Sequence, residues 1–431
     1  MFFGLLLAYA LRANLSVAIV AMTVYPPENP NFPVLEWTPG EKGMVLSSFF
    51  WGYIVLQVPA GLLARRFGPC KLLAGALIAS GVLTIVTPVA ATKGGWVAVV
   101  VTRVLTGLSQ GFVYPCVNTH MSKWALPRER SKMFSFAFSG TQVGTMVMML
   151  IGGVLAAGAG GWPSIFYVSG AVGVVWGILC AIFGADSPDQ HRTISAKERS
   201  YINSALINNS RSNNKMTTPW RDIITSPPLW ALMSAHVGNC WGFWTLLTLM
   251  PTYISGNGFL SALPYFAMWV TSVLFGIIAD YINTRKILPL NVSRKMWNSI
   301  AHYGEALALL GLAYLHTISW AIVLLTISIA LNSGTYLGYL TNHLDLSPNF
   351  AGTLMGITNG ISTIASILGP LVSSWIVTDE SSVSQWRIVF LISAAIFFVG
   401  NTLFIIFGST EIQKWNTPKE ERDSLKMPSR A

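Results

Sequence analysis

Charge is what this sequence has least of. Of its 431 residues, 10% are Asp, Glu, Lys or Arg, against about 25% in a soluble domain. A soluble chain of this length would form two or three domains, and these charges are too few to cover their surfaces. Acid is the scarcer sign, with 17 Asp and Glu against 27 Lys and Arg. The four cysteines, Cys70, Cys116, Cys180 and Cys240, all sit in or beside apolar runs, which excludes a disulfide framework. No GxxxxGK(S/T) loop and no HExxH motif occur, so ATP-driven transport by this chain alone and zinc-peptidase chemistry are excluded. A cleavable signal peptide is absent too: residues 1–24 lack a basic leader and contain Arg12. The abrupt start at an apolar helix suggests a trimmed amino terminus.

What the sequence has is apolar length. Hydrophobic residues make up 52% and mean hydropathy is +0.54. Apolar segments near 2–24, 43–64, 70–92, 96–120, 132–156, 163–184, 228–254, 259–282, 297–316, 318–340, 350–377 and 385–408 predict an all-α, twelve-helix polytopic membrane protein, each helix near the ~20 residues that cross the hydrocarbon. In this layout 22 of the 27 Lys and Arg fall on one face: Arg65, Arg66 and Lys71; Lys123, Arg128, Arg130 and Lys132; Arg192 to Arg221; Arg285 to Lys295; and the tail from Lys414. Short basic loops stay cytoplasmic, so both termini are expected there. The net charge of +10 is thereby a topology signal and not a nucleic-acid footprint. The sequons at Asn14, Asn208 and Asn291 fall in a helix or on the cytoplasmic face and are expected to stay unglycosylated.

A polar stretch over 185–227 divides the chain into six helices (1–184) and six helices (228–408), with a cytoplasmic tail over 409–431. The halves echo each other. GMVLSSFFWGYIVLQVPAG (43–61) and GFLSALPYFAMWVTSVLFG (258–276) share their flanking glycines. GLLAR (61–65) matches GIIAD (276–280), and WPSIF (162–166) matches WRIVF (386–390). Duplicated six-helix units imply two halves that rock about a central cavity.

GLLARRFGPCK (61–71) and GIIADYINTRK (276–286) resemble the loops after the second helix of each half in the major facilitator superfamily. The blocks RANLSVAIVAM (12–22), SSFFWGYIVLQVPAG (47–61), RVLTGLSQGFVYP (103–115), SKWALPRERSKM (122–133), LLTLMPTYI (246–254), NGFLSALPY (257–265) and NHLDLSPNFAGTLMGITNG (342–360) narrow this. They resemble the anion–cation symporter family, which contains sialin, the vesicular glutamate transporters and sodium–phosphate cotransporter-like proteins. The resemblance runs from about Leu11 to Trp415 and implies carriage of a small organic or inorganic anion, such as phosphate, sialate or urate. Coupling to Na+, H+ or membrane potential is implied, with no other cofactor and no metal. A monomer in the plasma membrane or a lysosomal or vesicular membrane is expected.

Two arginines lie inside helices, Arg12 and Arg103, where a charge is costly and marks a functional site by default. On a helix Arg103, Thr106, Gly107, Gln110 and Tyr114 form one stripe, and a polar stripe in an apolar helix faces the bundle interior. A guanidinium presents five donors in a fork that fits a carboxylate or phosphate, and the resembling family uses this arginine for the anion. The alternative is pairing with helix carbonyls or an acid. Arg12 has Tyr9 and Ser16 on its face, and Tyr53 and Gln57 stand one turn apart on the second helix. Arg12, Arg103, Tyr53, Gln110 and Tyr114 are the expected substrate-binding set.

Glu305 is the one carboxylate deep within a predicted helix, Asp280 lying two residues from the end of its own. It is either a coupling site or a counter-charge. His236 and His302 read as hydrogen-bonded interior residues. Arg66, Asp280, Arg285, Asn342, His343 and Asp345 are expected to gate or to join the halves.

Three departures from the family pattern refine the reading. Gln110 stands where sialin and the vesicular glutamate transporters have a glutamate, and glutamine cannot titrate. Leu46 and Cys240 replace the helix-two histidine and helix-seven arginine of the glutamate transporters. The connection PTYISGNGFL (251–260) is shorter than the family's. An enzyme such as a polytopic transferase is disfavoured, because the opposite face offers only Glu28, Glu36, Glu41, Asp379 and Glu380. A receptor or channel would not require the six-plus-six repeat.

Overall fold

The computed structural model describes residues 1–23, 32–127, 129–207, 217–253, 258–314, 318–377 and 382–417. Glu28, Arg128, the sequon at Asn208, Arg211, Lys215, positions 254–257 of the short connection, Asp379, Glu380 and the tail beyond 417 lie outside the described residues.

The first half contains α1 (Phe2–Thr23), α2 (Pro39–Val55), α3 (Gln57–Phe67), α4 (Pro69–Gln110), α5 (Val113–Trp124), α6 (Arg130–Ala157) and α7 (Gly161–Phe183). The linker holds α8 (Ala196–Ile207) and α9 (Trp220–Ile224). The second half contains α10 (Pro227–Tyr253), α11 (Gly258–Thr284), α12 (Leu290–Tyr314), α13 (Ile318–Asn332), α14 (Gly334–Leu337), α15 (Tyr339–Leu346), α16 (Ala351–Ile376) and α17 (Val383–Phe407).

Among the described residues eight spans are long and apolar enough to cross a membrane, and the bent pair α2–α3 makes a ninth. One of the eight covers Pro69–Trp124, but Gly95 breaks it at φ 65°, ψ −162°, so it makes two passes. α10 and α12 bring the passes to twelve. α12 is the least apolar of these because one of its faces is polar. Arg294, Asn298, His302 and Glu305, spaced by four, four and three, are all buried.

The expected helices are right in number and interrupted where prolines or cross-helix bonds demand it. The second pass bends by 50° between α2 and α3. Pro59 follows there; it lacks an N–H, and its ring opposes the carbonyl four residues back. Pro115 acts in the same way on the break between α4 and α5. The tenth pass is three short helices instead of one over 318–340. Its breaks are satisfied by α12: Arg294 Nη1 donates to the Leu337 carbonyl at 3.0 Å, and Tyr339 N–H donates to Asn298 Oδ1 at 3.4 Å. Irregular backbone at membrane depth persists where protein partners satisfy it in this way.

α2 and α4 cross at backbone contact. A Cβ at Gly52 would lie 1.9 Å from the Val104 carbonyl oxygen, and one at Gly107 would lie 2.0 Å from that of Phe49.

The halves meet at the face of the bundle that holds residues 1 and 417. Gly61 of α3 abuts Gly352 of α16 so closely that a Cβ would sit 2.5 Å from its carbonyl oxygen. The Arg65 guanidinium lies 4.3 Å from the Phe350 ring centroid. Asn283 donates to Ser131 Oγ across the halves at 3.1 Å. The strongest link is ionic. Asp345 accepts from Arg130 of α6 at 3.0 Å and from Arg294 of α12 at 2.7 Å, while Arg294 Nη1 also donates to Ser131 Oγ at 2.7 Å.

Arg130 and Arg294, grouped by the sequence with basic loop charges, are 4% and 1% exposed, so they are cross-links rather than topology markers. Asp345 is at the junction as expected. Asn342 donates to the Ser409 carbonyl within the second half, and His343 is likewise bonded there. Arg66 and Arg285 rest on their own neighbours Phe67 and Tyr281. Neither these two nor Asp280 forms an ion pair with a described residue. Residues 409–417 strap over the turn before α16: Gln413 N–H donates to the Leu346 carbonyl at 2.9 Å, and Asn416 Oδ1 accepts from Ser347 at 2.6 Å.

Breaking a buried pair by removing one partner costs about 3–5 kcal/mol. Asp345→Asn, which leaves two buried guanidiniums uncompensated, is therefore expected to lower the melting midpoint of the detergent-solubilised protein clearly. An unchanged midpoint contradicts the assignment.

Candidate substrate-binding site

Above the closed face the halves part around two adjoining chambers that share Tyr9, Arg12, Phe243 and Trp244. The first chamber takes Tyr53 and Tyr114 from the first half, and His236, Asn239, Asn332, Tyr336 and Asn359 from the second. The second is lined by Leu46, Phe49, Phe50, Arg103, Gln142 and Tyr265.

Arg12 stands where the chambers meet, and aromatic rings surround it. Its guanidinium carbon is 4.4 Å from the ring centroid of Trp244, 4.6 Å from Phe50, 4.7 Å from Phe49, 5.3 Å from Tyr53 and 5.6 Å from Tyr9. Ring faces attract the cation, by about 2 kcal/mol where it is desolvated, and they accept little of its hydrogen bonding. Both ion pairs among the described residues end on Asp345, so Arg12 has no carboxylate partner there. Its N–H fork has no hydrogen-bond acceptor among the described residues and borders both chambers.

The Arg103 fork is turned towards α1, with its Nε left without a partner among the described residues. It donates to the carbonyls of Leu11 at 3.5 Å and Arg12 at 3.2 Å, and its carbon lies 5.3 Å from the Phe49 ring centroid. Two turns further along, Gln110 Nε2 donates to the Ala8 carbonyl at 3.1 Å, and the Tyr114 and Tyr9 hydroxyls bond to each other. The polar stripe picked out in the sequence thus fastens α4 and α5 to the backbone and side chains of α1. Arg12, Tyr53 and Tyr114 share the first chamber, Arg103 lines the second, and Gln110 lines neither.

The second half answers with amides. Asn359 donates to the Tyr53 hydroxyl at 2.9 Å and to Gln57 Oε1 at 3.0 Å. Gln142 donates to the Tyr336 hydroxyl at 2.8 Å. These bonds join the halves at the cavity. Asn332 donates to Asn239 Oδ1 at 2.6 Å and to Glu305 Oε1. Glu305 is buried behind the chamber wall, and its second oxygen has no partner. Its contact is an amide, not an arginine. Sequence reasoning missed Asn239, Asn332, Asn359 and Trp244; the available signal was an amide recurring inside apolar runs. Leu46 and Cys240, flagged as departures from the family, both face the chambers. Among the described residues no cluster of His, Cys, Asp and Glu is arranged to hold a metal.

Residues 1–370 match the family model of the Major Facilitator Superfamily. The fold agrees. The proton:xylose symporter XylE bound to 6-bromo-6-deoxy-D-glucose superposes with a TM-score of 0.70 at 15% identity, covering 99% of this chain and 97% of that one. FucP in its outward conformation gives 0.63 at 12% identity, covering 93% and 97%. The chain is therefore a multi-pass membrane transporter of the major facilitator superfamily and not an enzyme.

Curated relatives narrow the assignment. A putative inorganic phosphate cotransporter of Drosophila ananassae is 37% identical over 100% of this chain and 95% of its own length. Sialin of Ovis aries is 37% identical over 96% and 89%, and vesicular glutamate transporter 1 of Xenopus laevis is 36% identical over 97% and 75%. Within the superfamily the chain belongs to the anion–cation symporter family.

The two arginines differ in kind. Arg103→Ala is expected to lose solute uptake and also about 1–3 kcal/mol of stability, because it strips bonds from the α1–α4 packing. Arg12→Ala is expected to lose uptake while the melting midpoint holds. Uptake in proteoliposomes and melting in detergent test both, and the reverse ordering of midpoints contradicts the distinction.

Proposed function

We propose that this protein carries a small organic anion, bound through one carboxylate, across a membrane by alternating access. The observation behind the proposal is the uncommitted guanidinium of Arg12, placed between the two halves without an acidic partner. A carboxylate seated on that fork makes charge-assisted bonds, roughly twice as strong as neutral ones, and the low-dielectric aromatic surround strengthens them further. Asn239 and Asn332 face it from the other half and suit a hydroxyl or amide on the substrate. A ligand held from both halves favours their closing together, which is what alternating access requires.

The relatives divide between inorganic phosphate and the carboxylates implied by sialin and a glutamate transporter. The lining favours the carboxylate. Phosphate has more oxygens than one fork can serve, and the remainder would meet the electronegative faces of Tyr9, Tyr53, Phe49, Phe50 and Trp244.

Both termini face the cytoplasm in this proposal, on the evidence of the basic loops, and the membrane is either the plasma membrane or that of an endolysosomal vesicle. The cavity is built by one chain, which supports a monomeric carrier. The driving ion is H+ or Na+, and Gln110 is not its binding site, since glutamine does not titrate and its side chain is bonded to α1.

Uptake of sialate, glutamate, urate and phosphate into proteoliposomes, under imposed sodium, proton and voltage gradients, tests this. Saturable uptake of a carboxylate that phosphate does not inhibit, and that Arg12→Ala abolishes, is expected. Equal competition by phosphate, or uptake that survives the substitution, overturns the carboxylate reading.

A further inference from the structure

Three buried histidines gather in the second half, and two of them share one hydroxyl. His236 of α10 and His343 of α15 both bond to Thr358 Oγ1 of α16, at 3.2 Å from Nδ1 and 2.8 Å from Nε2 respectively. His343 Nδ1 lies 3.0 Å from the Leu340 carbonyl oxygen. A carbonyl only accepts, so Nδ1 of His343 carries its proton. In neutral His343, Nε2 is then an acceptor and takes the Thr358 hydroxyl proton. The weaker alternative for that proton, the Met355 carbonyl at 3.4 Å, is longer by 0.6 Å. With its proton committed, Thr358 oxygen accepts from His236 Nδ1–H. His236 is left with Nε2 as its unprotonated nitrogen; the ring lines the first chamber, where the Asn359 side chain also meets it.

The bonds therefore point one way, from the cavity to α15. We infer that His236, Thr358 and His343 form a proton wire that takes the coupling proton from the substrate chamber towards the closed face. A proton arriving at His236 Nε2 releases the Nδ1 proton to Thr358 oxygen as Thr358 passes its own to His343 Nε2. His236 ends neutral with its proton on Nε2. The Thr358 hydroxyl now points back at His236 Nδ1, and His343 becomes an imidazolium. One proton enters, one is stored, and no other group changes charge.

The store is placed to act on the gate. The charged group in electrostatic contact with His343 is Asp345, two residues along, whose carboxylate holds Arg130 and Arg294. A third cation competes for the same carboxylate and loosens the link between the halves. Around the wire the other titratable groups are His302 and Tyr339. His302 Nε2 is tied to the Ala235 carbonyl at 3.0 Å, and the Tyr339 ring centroid lies 5.0 Å from that of His236. Neither offers a carboxylate that would hold the proton on the way.

This inference rests on the anion-carrier reading, and the test keeps the two apart. Proteoliposomes containing the full chain and a lumenal pH dye receive labelled sialate, with urate as a second probe. Counterflow at equal pH reports anion carriage alone; anion-induced lumenal acidification reports proton coupling. Thr358→Val removes the hydroxyl and leaves the chamber lining untouched. It is expected to reduce acidification about a hundredfold, the scale of removing a positioned proton-transfer group, while counterflow persists, and Thr358→Ser is expected to restore acidification. Acidification that survives Thr358→Val overturns the wire, as does a wild type with counterflow but no acidification. A variant that loses both signals together overturns it as well, since a wire separate from the anion path predicts a split. Absence of counterflow with either probe in the wild type counts instead against the carrier reading.

Discussion

A guanidinium with no counter-charge among the described residues, held at membrane depth, is the constraint on which the central structure depends. Arg12 would be expensive on an isolated helix. Here five aromatic rings enclose it, and the helix that bears it is clamped by donors from α4. Arg103 and Gln110 spend their hydrogen bonds on the carbonyls of Ala8, Leu11 and Arg12 itself, which fixes where the free cation points. Two intramembrane arginines that look alike in the sequence thus divide the labour. One holds the helix and the other is left open to a ligand.

The opposite condition holds at the closed face. There a carboxylate is shared by two buried guanidiniums, and a single acid, Asp345, ties three helices from both halves. Buried ion pairs of this kind add little net stability compared with apolar packing, but they are costly to leave half-made. They suit a junction that must form completely or part completely. The glycine contact between α3 and α16 adds the steric side of the same requirement, because no side chain can stand between the backbones when the face is shut.

Much of this was legible in the sequence. Apolar length gave the passes, and the paired GLLAR and GIIAD segments gave the two halves. The helix-four stripe was correctly seen as inward-facing. What one helix cannot reveal is which neighbour its stripe meets: Arg103 faces α1 carbonyls, a fact that depends on the α2–α4 crossing at Gly52 and Gly107. Arg130 and Arg294 were hidden for a related reason. Arg130 opens its helix and Arg294 is the fifth residue of its own, both beside true loop charges, and only the partner Asp345, more than 200 residues from Arg130, distinguishes them. The amides of Asn239, Asn332 and Asn359 carry no formal charge and so stood out less than the arginines, although all three line the first chamber.

The account depends most on the claim that Arg12 selects its ligand by charge. Equilibrium binding of sialate and of its methyl ester to the purified protein, measured by calorimetry, isolates that charge while keeping the remaining shape. The ester is predicted to bind at least about tenfold more weakly, a difference of roughly 1.4 kcal/mol. Equal affinity for acid and ester would contradict a guanidinium-centred site.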